Sequence, residues 1–116
     1  MNDKNAPLAL EQRFLSILSL CRKAGKLAVG FDSVKEAVSR GDSDRIFAST
    51  SLSPKTIKEL QFICSRYNAE FISVPISPES FGKSVGKTTG TAAVKDNGLS
   101  LLLKEAVPQI KEDIAQ

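Results

Sequence analysis

The chain has 116 residues, 41% hydrophobic and 25% charged, which suits one compact domain (1–116) and excludes a low-complexity protein. Sixteen Lys and Arg against 13 Asp and Glu leave a net charge of +3, too small on its own to name a partner. There is no histidine, and Cys21 and Cys64 stand apart inside apolar helical patterns. A Cys/His metal centre, a disulfide framework and acid–base catalysis are therefore not expected.

The first seven residues are polar and mixed in charge, with no apolar stretch of a secretion signal. No later apolar run approaches the roughly 20 residues of a membrane span. The expectation is a soluble protein of the reducing cytoplasm, with 1–7 and 109–116 as fraying ends.

Leu10, Phe14, Ile17, Leu18 and Cys21 recur at i, i+4, i+7, i+8 and i+11, which predicts an amphipathic helix over 8–24, stopped by Gly25. Residues 26–29 alternate as a short strand. Gly30 then opens a second helix, with Val34, Ala37 and Val38 on one face and Gly41 at its close.

Arg45–Ser49 is an apolar run that reads as the second strand. Ser53 and Pro54 give an N-cap and a first-turn proline for a third helix, which carries Ile57, Leu60, Ile63 and Cys64 inward and ends near Tyr67 and Asn68. Glu70–Val74 alternates as the third strand and halts before Pro75.

Ser77 and Pro78 repeat the helix start for a short fourth helix ending at Gly86. A Gly/Thr loop leads to a fourth strand, Thr91–Val94, and residues 99–106 form a fifth helix that Pro108 ends. The order α-β-α-β-α-β-α-β-α predicts an α/β fold: a three-layer α/β/α sandwich around a mixed four-stranded sheet.

Charge is unevenly placed along this order. Residues 12–31 hold Arg13, Arg22, Lys23 and Lys26 without an acid, and residues 80–95 hold Lys83, Lys87 and Lys95, again without one. These two segments carry +7 and leave −4 for the rest, so a fold that joins them makes a basic patch.

Gly82-Lys83-Ser84-Val85-Gly86-Lys87-Thr88 has the flavour of a phosphate-binding P-loop, but its spacing is one residue short, with Phe81 where the first glycine belongs. It also runs helix–loop–strand, the reverse of a P-loop, so nucleotide binding is not expected. The cysteines are expected to be buried and inert. Of the phenylalanines, Phe14, Phe47, Phe62, Phe71 and Phe81 fit core or helix-packing positions, while Phe31 fits a staple at the second helix or a contact to a bound polyanion. The glycine at position 30 and the loop from Gly86 to Thr91 offer backbone amides to such a polyanion, and both lie at the ends of the acid-free segments.

Leu20-Cys21-Arg22-Lys23-Ala24-Gly25-Lys26-Leu27 with Gly30, then Ala37-Val38-Ser39-Arg40-Gly41, then the run Phe81 to Lys87, the strand Ala92-Ala93-Val94 and Asp96-Asn97-Gly98 follow one another at a characteristic spacing. In these residues the chain, over about 8–106, resembles the ribosomal L-seven-Ae and L-thirty-e family, and most of all its small bacterial members of the YlxQ type. The resemblance implies an α/β/α sandwich and a non-catalytic, ribosome-associated protein without cofactor or metal that binds kink-turn or related structured RNA. Other ribosomal components are further partners; no membrane or small-molecule substrate is implied.

By the same resemblance Lys26, Gly30, Asp32 and Ser33 approach the sheared G·A pairs of the kink, and Lys83, Lys87, Thr88, Thr89 and Gly90 approach the backbone and the flipped-out loop nucleotide. The chain departs from the pattern at Asp32, Ser33 and Glu36, where strong binders place Asn-Glu and a downstream lysine, and at Lys87, where an apolar residue is usual. Asp32 accepts but cannot donate, and Glu36 repels phosphate, so weaker binding of a standard kink-turn is implied. The alternative within the same fold is a protein–protein adaptor of the growth-arrest stress type.

Overall fold

A computed structural model describes the backbone of residues 2–108 and the side chains of residues 10–108. Nine elements alternate along it: α1 Asn2–Lys23, β1 Leu27–Val29, α2 Phe31–Ser39, β2 Arg45–Ser49, α3 Pro54–Arg66, β3 Glu70–Val74, α4 Pro78–Val85, β4 Thr91–Val94 and α5 Asn97–Glu105. The expected fraying of 109–116 lies outside the described residues.

Helix starts follow the sequence chemistry. The Ser53 hydroxyl accepts from the Thr56 amide at 3.1 Å and the Ser77 hydroxyl from the Ser80 amide at 3.2 Å, each followed by proline in the first turn. A third cap was not anticipated: Asp96 Oδ1 accepts from the Leu99 amide at 2.9 Å, so α5 begins at Asn97 rather than at 99. At the other end of the chain α1 begins at Asn2, six residues before the predicted start, because an apolar stripe marks where a helix packs and not how far its backbone winds.

The sheet order is β1-β4-β2-β3. Only β2 and β3 are parallel; β4 runs antiparallel to both its neighbours, with Leu27 opposite Val94 and Phe47 opposite Ala92. Strand alternation then sorts side chains to two faces. Phe47, Val74, Ala92 and Val94 meet Phe14, Leu18 and Cys21 of α1, Phe81 and Val85 of α4, and Leu103 of α5. Ala28, Ile46, Ala48 and Ala93 meet Val34 and Val38 of α2 and Leu60, Ile63 and Cys64 of α3. The result is the expected three-layer α/β/α sandwich, with α1, α4 and α5 on one face and α2 and α3 on the other.

On the first face three fully buried rings interlock, Phe14 lying 6.1 Å from Phe47 and 6.0 Å from Phe81, centroid to centroid. Such contacts add about 0.5–1.5 kcal/mol each to the gain from burial. Both cysteines are buried. Desolvation, with the Asp96 charge second, pushes the Cys21 thiol up, and desolvation pushes Cys64 up to about 11, so both stay protonated packing groups. One packing expectation fails: Phe62 is 65% exposed, because α3 turns Leu60, Ile63 and Cys64 to the sheet and position 62 falls on the opposite side. Phe31 and Phe71 are half-buried.

Where β2 and β4 part, hydroxyls complete the hydrogen bonding. Ser49 Oγ donates to the Ile76 carbonyl at 2.7 Å and Thr91 Oγ1 to the Phe47 carbonyl at 2.8 Å, both buried. At the opposite end of the sheet Arg45 donates to Glu70 and to Ser100, each at 2.9 Å, and Lys104 reaches Glu70 at 2.9 Å, fastening β2, β3 and α5 together. Among the described residues no helix is long and apolar enough to cross a membrane.

Candidate nucleic-acid interface

The last strand in sequence lies beside the first, and this pairing joins the two acid-free segments. The Gly30 amide donates to the Thr91 carbonyl at 3.1 Å, which sets the start of α2 against the end of the Gly/Thr loop. Gly30 adopts φ 93°, a backbone that side chains rarely tolerate, and the space a Cβ would fill is closed by the Lys87 ammonium 3.3 Å away. No side chain caps the α2 N-terminus at Gly30, which lies beside that ammonium.

The loop owes its position to two further glycines. Gly86 ends α4 in the left-handed conformation, φ 72°. Gly82, inside α4, lets the loop fold down on the helix: a Cβ there would sit 2.8 Å from the Lys87 carbonyl oxygen and 3.1 Å from Thr88 Cα. The segment runs helix–loop–strand, so the C-terminal, electronegative end of α4 faces the loop and the P-loop arrangement does not form.

Of the residues singled out in the sequence, Gly30, Asp32, Ser33, Lys87, Thr88 and Thr89 are gathered at this end of the sheet, and Asp32, Ser33, Lys87 and Thr88 are exposed. Gly90 is buried instead: its carbonyl accepts from the Ser49 amide at 2.7 Å, and a Cβ would lie 2.7 Å from Leu52 Cδ2. Lys83 projects from α4 into a groove between α1 and α4 that Ser16, Ser19, Arg22 and Ser84 also line. Lys26 lies at the far end of β1, where its carbonyl accepts from the Lys95 amide at 2.7 Å. From there a groove of about 350 Å³ follows β1 and α2 back past Glu36 to Ser33, with Lys95 on its wall.

Two further cations, one beside the loop and one at the far end of β1, escaped the residue-by-residue selection. Arg22 presses its guanidinium against Gly86, 2.8 Å from where a Cβ would be, and Lys95 neighbours Lys26. Each lies in an acid-free segment, so the charge count held the signal, but the three-dimensional partner was needed to pick them out. The ion pairs among the described residues are Arg40–Glu36 at 3.0 Å and the Glu70 pairs with Arg45 and Lys104 at 2.9 Å. Arg22, Lys26, Lys83, Lys87 and Lys95 take part in none of them, so their charge is available to an anionic partner. Among the described residues no group of three or more His, Cys, Asp or Glu is placed to hold a metal ion.

The start of α2 and the loop before β4 thus meet at one edge of the α/β/α sandwich, shaped by Gly30, Gly82 and Gly86 and carrying Arg22 and Lys87. The profile of the ribosomal protein L7Ae/L30e/S12e/Gadd45 family matches residues 12–104, and the chain belongs to that family. Among its relatives is the large ribosomal subunit protein eL8 of Halobacterium salinarum, 28% identical over 92 residues, covering 78% of this chain and 76% of that protein. The eL8 protein of Nitrosopumilus maritimus is 28% identical over 113 residues, 95% of this chain and 85% of that one. A solved Bacillus halodurans protein, described as of unknown function, superposes with a TM-score of 0.75 at 28% identity, covering 82% of this chain and 96% of that chain. The 15.5 kD RNA binding protein of Giardia lamblia shares the fold, with a TM-score of 0.68 at 15% identity over 90% of this chain and 89% of that one.

Proposed function

We propose that the chain is a ribosome-associated, non-catalytic RNA-binding protein that grips a kink-turn or related G·A-paired bend between the start of α2 and the loop 86–90. The observation that carries this reading is the Lys87 ammonium beside Gly30, which brings the two acid-free segments into contact at the start of α2. The relatives point the same way, since eL8 is a large ribosomal subunit protein and the Giardia neighbour carries RNA binding in its name.

The chemistry suits recognition by shape. Lys83, Lys87, Lys26, Lys95 and Arg22 supply phosphate contacts, and the amides of α2 and the hydroxyls of Ser33, Thr88 and Thr89 supply hydrogen bonds to sugar and base edges. Glu36 is exposed and tied to Arg40, which partly offsets its repulsion of phosphate. The exposed large apolar side chains among the described residues, Leu10 and Leu20 on α1, Phe62 and Tyr67 at α3, and Leu101 and Leu102 on α5, lie outside the start of α2 and the loop 86–90.

The test is a calorimetric titration with a kink-turn RNA and with an unkinked duplex of equal length at two salt concentrations. The expected result is selective binding of the kink, with log K falling against log salt at a slope of about −3 to −5, as for three to five neutralised phosphates. Equal affinity for the straight duplex refutes kink recognition, and no binding to either refutes the RNA role.

A further inference from the structure

Phe62 leaves 65% of its surface in water, and the chemistry around it is not random. On α3, Lys55, Lys58, Phe62 and Arg66 are spaced three or four residues apart and are all exposed, so cations and a ring share one stripe. Next to it, the Arg66 guanidinium lies 5.6 Å from the Tyr67 ring centroid and donates from Nε to its hydroxyl at 3.3 Å, which ties the two exposed side chains together. Facing this stripe, α2 contributes Phe31 and, one turn on, Lys35.

Between the two helices runs a shallow groove. Its first part, about 390 Å³, is lined by Phe31, Lys35, Lys58 and Phe62; its second, about 320 Å³, by Lys35, Phe62, Arg66 and Tyr67. Lys35 and Phe62 belong to both, so the track is continuous. Three cations line it against one acid, Glu59. Phe31, which lines its first part, directly follows Gly30, so the groove begins one residue from the start of α2.

A folded protein partner needs roughly 800 Å² of surface on each side, whereas this track is one helix stripe wide, and Lys58 to Arg66 is about 12 Å long. Rings and guanidinium planes set between cations are instead the means by which proteins hold unpaired nucleotides, bases stacking on the planes and phosphates meeting the charges. We propose that the α2–α3 groove takes a single-stranded RNA segment leaving the folded RNA, with bases on Phe62 and the Arg66–Tyr67 pair and phosphates at Lys35 and Lys58. The proposal rests on the reading of the neighbouring edge as an RNA site.

The experiment measures affinity of the full chain for a kink-turn RNA, bare or carrying a short oligouridine extension at its 5′ or its 3′ end. One of the two extensions is expected to tighten binding about fivefold or more, the lower end of what one stacked base contributes. Phe62→Ala should lose that gain yet bind the bare RNA like the parent; a melting curve confirms its fold, and Lys58→Ala should lose part of the gain. No gain from either extension, or an equal gain in Phe62→Ala, overturns the groove proposal while leaving the edge intact.

If the bare RNA does not bind at all, the edge reading fails and the groove is judged by photocross-linking of a 4-thiouridine oligomer. Adducts on the α3 peptide that vanish in Phe62→Ala uphold it, and their absence overturns it. Self-association of the parent that Phe62→Ala abolishes, without any effect of the extensions, would assign the face to a second copy of the chain and overturn it as well.

Discussion

Gly82→Ala tests whether the loop after α4 is held by close backbone packing. Alanine is the better helix former, and in an open helix the exchange would stabilise by about 0.8–1.0 kcal/mol. Here the new methyl meets the Lys87 carbonyl oxygen at 2.8 Å, Thr88 Cα at 3.1 Å and the Thr89 nitrogen at 3.3 Å. These are backbone atoms with no rotamer to turn aside, so the loop must lift by about 0.6 Å to reach ordinary contact near 3.4 Å. Overpacking of this kind costs about 1–3 kcal/mol. The lift also stretches the Lys87 amide to Gly82 carbonyl bond, 3.1 Å long, whose loss adds about 0.5–1.5 kcal/mol. With the helix gain subtracted, the net is a destabilisation of about 0.5–3.7 kcal/mol, read in a thermal melt as a fall of about 2–15 °C. RNA affinity should fall with it, because Lys87 and Thr88 leave their places beside α2. A melting temperature equal to or above the parent's would refute the argument that Gly82 is required by the loop.

Other perturbations bear on the ends of the elements and on the charge pattern. Asp96→Ala removes the α5 cap and should lower stability by about 0.5–2 kcal/mol in urea denaturation, with Asp96→Asn largely retaining it. Hydrogen bonds from Arg45, then Lys104, hold the Glu70 carboxyl below its ordinary value near 4.5. Its contribution is therefore full above pH 4.5 and lost as pH falls through the lowered folded value; Glu70→Gln should melt below the parent at neutral pH and converge with it in acid, and a constant gap would contradict this. Glu36→Lys reverses an exposed charge on the β1–α2 groove and should tighten RNA binding about three- to tenfold at low salt, an effect that shrinks as salt rises.

Much of this architecture is legible in the residues because local signals agree. The runs Arg45–Ser49, Glu70–Val74 and Thr91–Val94 are strands residue for residue, each being a short apolar or alternating run between turn formers. What periodicity cannot carry is adjacency: nothing within Thr91–Val94 says that it inserts between β1 and β2. Nor did Asp96-Asn97-Gly98 announce a helix, because the same three residues make a turn until the Asp96 side chain finds the Leu99 amide. The basic edge was visible as segregated charge, yet Arg22 and Lys95 became distinct only through Gly86 and Lys26, and Gly90 proved to be a packing glycine. Phe62 shows the limit of residue type as a guide, since an aromatic on a helix is read as core until the helix is oriented.

The insertion of β4 also orders events in time. The strand β1 pairs with β4 alone, across 67 positions from Leu27 to Val94, whereas β2 and β3 close a loop of only 25 from Arg45 to Glu70. Loop-closure entropy makes such a distant contact the later one to form, and during synthesis it cannot form at all until the residues of β4 have emerged. The Gly30–Thr91 bond, and with it the cationic edge, therefore comes into being only when the sheet is complete. A nascent or truncated chain lacking β4 carries every cation of residues 12–31 but has no β1–β4 pairing to set them against Lys87, so the proposed RNA site would arise only once the sheet is complete.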